Sequence, residues 1–91
     1  MNTQLYNALV LKCENKFTVS IWKYYGERIT NHLKRLCTEF PFLTVGTEIE
    51  VVIDGENIKC AVENIIINVN EVLVDTGFGN VWYYEVKEVK K

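Results

Sequence analysis

In the first quarter of the chain, apolar residues alternate with polar or smaller ones. The odd positions on both sides of residues 14–16 carry the apolar side chains Leu9, Leu11, Cys13, Phe17, Val19 and Ile21. Alternation of this kind is typical of a half-buried strand. A three-residue loop at 14–16 keeps both strands facing one side. The pattern therefore predicts a β-hairpin within residues 5–24.

The spacing of apolar residues changes after Gly26. They now recur at intervals of four, three, one and three, a stripe typical of one face of an α-helix: Ile29, Leu33, Leu36, Cys37 and Phe40. Pro41 cannot continue a helix, and it disfavours helical geometry at the residue before it. We predict one helix over residues 27–39.

Residues 47–87 carry alternating apolar positions throughout, so this part predicts strands only. Pairing Ile53 with Ile58 leaves Gly55-Glu56 as a two-residue turn, and a second turn is predicted at Asn70-Glu71. A bend at Glu63-Asn64 is predicted because the buried positions change there from even to odd.

The last turn is predicted as a three-residue loop at Gly77–Gly79. This loop length places Trp82 and Tyr84 in the core and points Tyr83 outward. Short turns connect antiparallel strands, so the predicted order is β-β-α-β-β-β-β. The predicted fold is α+β: one domain, residues 1–91, with a four-stranded antiparallel sheet over 47–87 curled into a small open barrel against one helix.

Composition agrees with one small folded domain. The chain has 91 residues, of which 24% are charged and 12% aromatic, with a net charge of -2. No apolar run approaches the roughly 18 residues that a membrane-spanning helix needs, so no membrane association is expected. The charge is uneven: residues 1–45 hold six bases and three acids, a net of +3, whereas residues 46–91 hold four bases and nine acids, a net of -5.

The cysteines indicate neither a disulfide framework nor a metal site. There are three, at positions 13, 37 and 60, with no closely spaced pair. Zinc ligands normally occur in close pairs, so we expect no metal, no cofactor and reduced thiols. The first residues also lack a basic segment and a cleavage site of the secretory type. A cytoplasmic location is expected.

Two enzymatic hypotheses arise from short motifs, and neither is favoured. Val72–Gly77 resembles the hydrophobic-hydrophobic-Asp-Thr-Gly signature of retroviral-type aspartic proteases, with Asp75 as the catalytic carboxylate. However, only 16 residues follow Asp75, and Phe78 replaces the small residue expected there. The single His32 could activate a cysteine, but a histidine beside an apolar helical stripe is more often structural. We predict no catalytic residues.

Two sets of side chains are candidates for binding. Exposed aromatic residues are common anchors at protein interfaces, and Tyr24, Phe78 and Tyr83 are the expected ones. The predicted helix and the segment before it carry basic side chains able to contact an anion or an acidic partner: Lys23, Arg28, Lys34 and Arg35. The acidic strand faces are an alternative contact surface.

Residues 45–89 combine an extended stretch with an Asp-Gly turn, a bent Ile/Val strand, the segment VWYYEV and a charged end. This arrangement resembles small SH3-like barrel proteins encoded by phages and prophages of low-GC bacteria. The resemblance implies a non-enzymatic accessory protein that binds a host protein, such as an inhibitor of a defence or DNA-processing factor. A small nucleic-acid-binding domain that uses the basic helix face is the alternative, and a homodimer is a further option.

Overall fold

The computed structural model describes residues 1–89, so the last two residues of the predicted domain lie outside it. The fold is α+β, as predicted, but it begins with two helices. Helix α1 spans Thr3–Lys16 and helix α2 spans Val19–Glu39. They are followed by strands β1 (Glu48–Ile53), β2 (Glu56–Ala61), β3 (Asn64–Ile67), β4 (Val72–Asp75), β5 (Asn80–Trp82) and β6 (Lys87–Glu88).

The predicted hairpin over residues 5–24 is wrong. Helix α1 buries Leu5, Leu9 and Cys13, which are spaced by four residues and share one helical face. Leu11, which a strand would place beside Leu9 and Cys13, is exposed. The side chain of Asn2 caps the helix, because its Oδ1 accepts a hydrogen bond from the Leu5 N–H at 3.1 Å.

Helix α2 contains the predicted helix but starts eight residues earlier. Thr18 is its N-cap, and its hydroxyl accepts a hydrogen bond from the Ile21 N–H at 3.3 Å. The helix ends at Glu39, as predicted from Pro41, with Phe40 as the C-cap. Four residues of the predicted stripe are buried, namely Ile29, Leu33, Leu36 and Cys37, and Phe40 is half-buried.

The strands form two antiparallel sheets of three strands each, with orders β2-β1-β6 and β3-β4-β5. Within residues 1–89 neither sheet closes into a barrel, so the predicted four-stranded barrel is not what the structure shows. The bend predicted at Glu63-Asn64 overlaps the break between β2 and β3 at residues 62–63, where the chain leaves one sheet and enters the other. The even-to-odd change of buried positions is confirmed, since Val62 and Ile65 are both buried.

Two predicted strand registers are shifted. Ile53 pairs with Glu56, so the first turn is Asp54-Gly55 and not Gly55-Glu56. Both turn residues have positive φ, 51° and 79°, as a type I′ hairpin turn requires. The second turn likewise lies one residue earlier than predicted, at 69–70, because Ile67 pairs with Val72. Each shift moves the pairing by two residues, which leaves the buried faces unchanged.

The length of the loop between β4 and β5, by contrast, changes which side chains are buried. Asp75 pairs with Asn80, so the loop has four residues, 76–79, where three were predicted. A change of one residue exchanges the two faces of the following strand. Val81 and Tyr83 are therefore buried, whereas Trp82 is half-buried and Tyr84 is exposed. A 3₁₀ turn at Tyr83–Glu85 then directs Val86 into the core.

One hydrophobic core joins both helices to both sheets. Strand β3 lies at the edge of its sheet, and side chains of α1 cover this edge. Lys12 donates from Nζ to the Ile65 carbonyl, and Lys16 donates from Nζ to the Ile67 carbonyl. An edge strand with free carbonyls is a template for unwanted pairing, so the two lysines protect it.

Candidate functional site

The exposed side of helix α2 is the most distinctive surface of the described residues. Its side chains are spaced three or four residues apart along the helix, except for the adjacent pair Asn31-His32, and therefore lie on one side: Tyr24, Arg28, Asn31, His32 and Arg35. With Glu27 they line an open groove of about 550 Å³. We call these six residues the α2 outer face.

Tyr24 is the most exposed aromatic residue on this face. Its exposed fraction is 83%, and its ring lies 5.5 Å from that of Tyr25, centroid to centroid. An exposed tyrosine offers a rigid apolar ring and a hydroxyl group with little rotamer entropy to lose on binding. The sequence prediction that Tyr24 is accessible is therefore consistent with its position.

Arg28 is held in place by the turn between β3 and β4. Its Nη1 donates a hydrogen bond to Asn70 Oδ1 at 2.9 Å. Asn70 is neutral, so this bond positions the guanidinium without compensating its charge. A guanidinium has five N–H donors, and most of those on Arg28 therefore stay available to a partner.

Arg35 lies at the other end of the groove and is paired within its own helix. Its Nε donates to Glu39 Oε2 at 3.1 Å, and this is the one ion pair within residues 1–89. The hydrogen bond from Arg35 to Glu39 and the charge of that carboxylate raise the pKa of the guanidinium, with a smaller effect of Tyr83. Both members are exposed, so the pair contributes little to stability.

The four predicted basic residues do not form one surface. At about 100° per residue, Arg28 and Arg35 project within about 20° of each other, as do Lys23 and Lys34. The two pairs, however, are separated by about 100° to 140° around the helix. Consistent with this, Lys23 lines a different groove, with Ser20 and Tyr24.

The predicted aromatic patch is also divided. Phe78 is 65% exposed at the tip of the loop between β4 and β5. The loop is well held, because Thr76 Oγ1 donates to the Gly79 carbonyl at 2.8 Å and accepts from the Phe78 N–H at 3.2 Å. Arg28 contacts Asn70, which lies before the other end of β4, and Phe78 does not line the groove of the α2 outer face.

The prediction that Tyr83 is exposed is wrong. Its exposed fraction is 3%, and its ring packs edge-to-face on Phe40, with centroids 5.6 Å apart. The exposed neighbour is Tyr84, which stacks on Trp82 at 5.6 Å. Sequence reasoning missed Tyr84 because the assumed loop length placed it in the core.

The residues of the two enzymatic hypotheses lie in different parts of the fold, with Asp75 at the end of β4 and His32 on the α2 outer face. Asp75 Oδ1 accepts a hydrogen bond from the Gly77 N–H at 3.1 Å, which stabilises the loop. His32 and Cys37 project about 140° apart around α2, and Cys37 is buried. Burial raises the pKa of Cys37 to about 11 and also raises the pKa of Cys13 and Cys60. These thiols are therefore poor nucleophiles at neutral pH.

A second groove lies on another side of the molecule, between α1, residues 43–45 and β3. Its volume is about 340 Å³, and sequence reasoning did not find it. The residues around it are mainly apolar, with Lys12 at one end: Gln4, Leu5, Ala8, Leu9, Lys12, Leu43, Thr44, Val45, Asn64 and Ile65. No alternation or short motif marks these positions, because three separate segments supply them.

Within residues 1–89, no three histidine, cysteine or acidic side chains are grouped closely enough to hold a metal ion. No helix in that range has both the length and the apolar character needed to cross a bilayer. Comparison with models of known protein families, with curated proteins and with solved structures finds no match.

Proposed function

We propose that the chain is a non-enzymatic protein-binding module that holds a carboxylate-bearing segment of a partner protein on the α2 outer face. The observation that carries the proposal is the combination of a highly exposed tyrosine, Tyr24, with an arginine, Arg28, one turn further along the helix. Tyrosine and arginine are among the residues that contribute most to binding energy at protein interfaces.

Charge favours an acidic partner. The α2 outer face carries two arginines and one acidic residue, Glu27, whereas the chain as a whole has a net charge of -2. Arg28 is positioned by the neutral Asn70. A partner carboxylate can therefore form a charge-assisted hydrogen bond without first breaking an ion pair at Arg28.

The helix itself is suited to this role. Its first ten residues, from Val19 to Arg28, contribute no fully buried side chain, although Trp22 is half-buried against the core. The core stripe that begins at Ile29 holds the rest of the helix in place. The binding side chains are thus presented on a regular element that is anchored at one end, which limits the ordering cost of binding.

The resemblance to phage and prophage accessory proteins extends the proposal to the kind of partner. We propose a host defence or DNA-processing protein, with the chain acting as its inhibitor in the host cytoplasm. The barrel part of that resemblance has no counterpart in the two separate sheets, so the extension depends on the binding mode and not on the fold.

A pull-down with matched variants tests the proposal. The double variant R28A/R35A removes two charges from the α2 outer face, and K23A/K34A removes two charges from the other side of the same helix. From a low-GC bacterial lysate, we expect one stoichiometric protein to be retained by the wild type and by K23A/K34A but lost with R28A/R35A. Retention of no protein, or equal retention by both variants, would contradict the proposal.

The nucleic-acid alternative makes a different prediction. If Lys23, Arg28, Lys34 and Arg35 all contacted phosphates, the logarithm of the binding constant would fall with the logarithm of salt concentration with a slope of roughly -3 to -4. The division of the four residues into two pairs lowers this expectation to a slope of about -2. Absence of a gel shift with DNA or RNA at low salt would eliminate the alternative.

A further inference from the structure

The groove between α1, residues 43–45 and β3 has the composition of a small-molecule site. Such sites have volumes of roughly 300–1,000 Å³ and mainly apolar walls with a few polar groups. This groove has a volume of about 340 Å³. Buried leucines from α1 and from residues 43–45, which follow α2, form part of its lining. Ala8 leaves space on the helix surface because its side chain is a single methyl group.

One cation is fixed at the end of this groove. Lys12 donates from Nζ to Asn64 Oδ1 and to the Ile65 carbonyl, both at 2.5 Å. An ammonium group has three donors, so one remains for a ligand. Both existing acceptors are neutral, and no carboxylate pairs with Lys12 among the described residues. The positive charge is therefore positioned but not neutralised.

The surroundings of Lys12 strengthen the local positive potential. Lys16 lies one helical turn further on and is held in the same way, by the Ile67 carbonyl and Asn68 Oδ1. Partial burial and the charge of Lys16 lower the pKa of Lys12, as expected for two neighbouring ammonium groups. An anionic group beside Lys12 would relieve this repulsion.

We propose that this groove binds a small amphipathic carboxylate, with the hydrocarbon part along Ala8 and Val45 and the carboxylate on Lys12. Val45 is 70% exposed in the structure, so covering it with a hydrocarbon chain removes apolar surface from water. The ligand class follows from the apolar walls together with a single fixed cation. The site is separate from the α2 outer face and does not depend on the proposed function.

The test uses octanoate and its neutral analogue 1-octanol with the isotopically labelled full-length protein. In two-dimensional NMR titrations, octanoate is expected to shift the amide signals of α1, residues 43–45 and β3 in a saturable manner, with one equivalent bound. 1-Octanol is expected to bind about tenfold more weakly, because it lacks the charge-assisted hydrogen bond to Lys12.

Three variants locate the ligand. A8W fills the groove and is expected to abolish saturable binding, whereas N7W adds the same side chain at the adjacent exposed position, which does not line the groove, and is expected to preserve it. K12Q keeps donors for Asn64 and Ile65 but removes the charge, so octanoate should bind it no better than 1-octanol. Thermal unfolding of each variant verifies that it is folded.

Several results would overturn the proposal. They are the absence of saturable shifts with octanoate, equal binding of octanoate by the wild type and a folded A8W, and equal affinity of the wild type for octanoate and 1-octanol. The last result would show an apolar groove without preference for a carboxylate. If A8W does not fold, equal binding of octanoate by K12Q and the wild type would overturn the proposal.

Discussion

Replacing leucine by alanine at two positions of the first segment distinguishes a helix from a strand. In a strand, Leu9 and Leu11 face the same side, and both replacements would cost similar stability. In helix α1 they project about 160° apart. Leu9 is 5% exposed and Leu11 is 59% exposed. The helix therefore predicts a large loss of unfolding free energy for L9A and almost none for L11A.

The size of the loss follows from burial. Leucine-to-alanine replacements in cores cost about 2–5 kcal/mol, and the cost rises with the cavity left behind. Leu9 also lines the second groove, so part of the space created is open to solvent and the lower end, about 2–3 kcal/mol, applies. For L11A we expect a change within about 0.5 kcal/mol, because alanine has a slightly better helix propensity and little surface is lost.

Urea unfolding followed by circular dichroism measures both values. A domain of this length has an expected unfolding free energy of about 5–14 kcal/mol. With a slope of about 1.5 kcal/mol per molar urea, a loss of 2.5 kcal/mol lowers the midpoint by roughly 1.7 M. Equal midpoint shifts for L9A and L11A would refute the helical assignment of this segment and restore the predicted hairpin.

Three further predictions concern glycine positions and alkaline stability. Gly77→Ala should lower the unfolding free energy by about 1–3 kcal/mol in the same urea assay, because Gly77 has a φ of +79°, which strains alanine; the new Cβ would also lie 2.7 Å from Glu63 Oε1, but that flexible side chain can move away. Gly26→Ala should instead raise the unfolding free energy by about 0.5–1 kcal/mol, since Gly26 is helical and its Cβ would make ordinary contact with Trp22 at 3.5 Å; a loss would contradict this. Burial raises the pKa of Cys37 from an ordinary value of 9.0 to about 11, so its stabilising contribution is complete below pH 9 and is lost as the pH rises through 11. Urea midpoints between pH 8 and pH 11 should fall more steeply for the wild type than for C37A, and parallel curves would contradict this explanation.

Much of the buried face of the sheets could be predicted from alternation alone. In β1, Ile49 and Val51 are buried as the odd positions required. The incorrect turn at Gly55-Glu56 did not affect this, because a register shift of two residues keeps every side chain on its own face. Periodicity determines which face is buried, whereas turn chemistry determines which residues are paired.

Where two periodicities fit the same residues, the sequence does not distinguish a strand from a helix. In the first segment, Leu9 and Cys13 belong both to an alternating series and to a series with spacing four. The distinguishing information was in the caps, since Asn2 and Thr18 each stand three residues before the backbone N–H group that their side chain binds. Capping residues are weak signals in isolation, whereas the alternating series extends over both sides of residues 14–16 and therefore favours the hairpin.

The candidate site was predictable in its residue types but not in its geometry. Tyr24 and Arg28 were identified as candidates and lie on one face, one turn apart. Tyr83 was misplaced because a single additional loop residue exchanged the two faces of β5. Exposure of a side chain near a hairpin therefore depends on loop length, which sequence patterns specify only to within one residue.

The contrast between two surfaces is consistent with the binding role proposed for the α2 outer face. The free edge of β3 would promote association, and Lys12 and Lys16 cover it with hydrogen bonds to its carbonyls. The first half of α2 has no such cover; it is attached to the core by the half-buried Trp22, and it places Tyr24 in solvent. A ring this exposed buries little apolar surface and so contributes little to folding, and an exposed tyrosine is a common anchor at protein interfaces. The edge of β3 is thus covered by the chain's own side chains and the α2 outer face is not, which is the arrangement expected if the α2 outer face binds the partner proposed above.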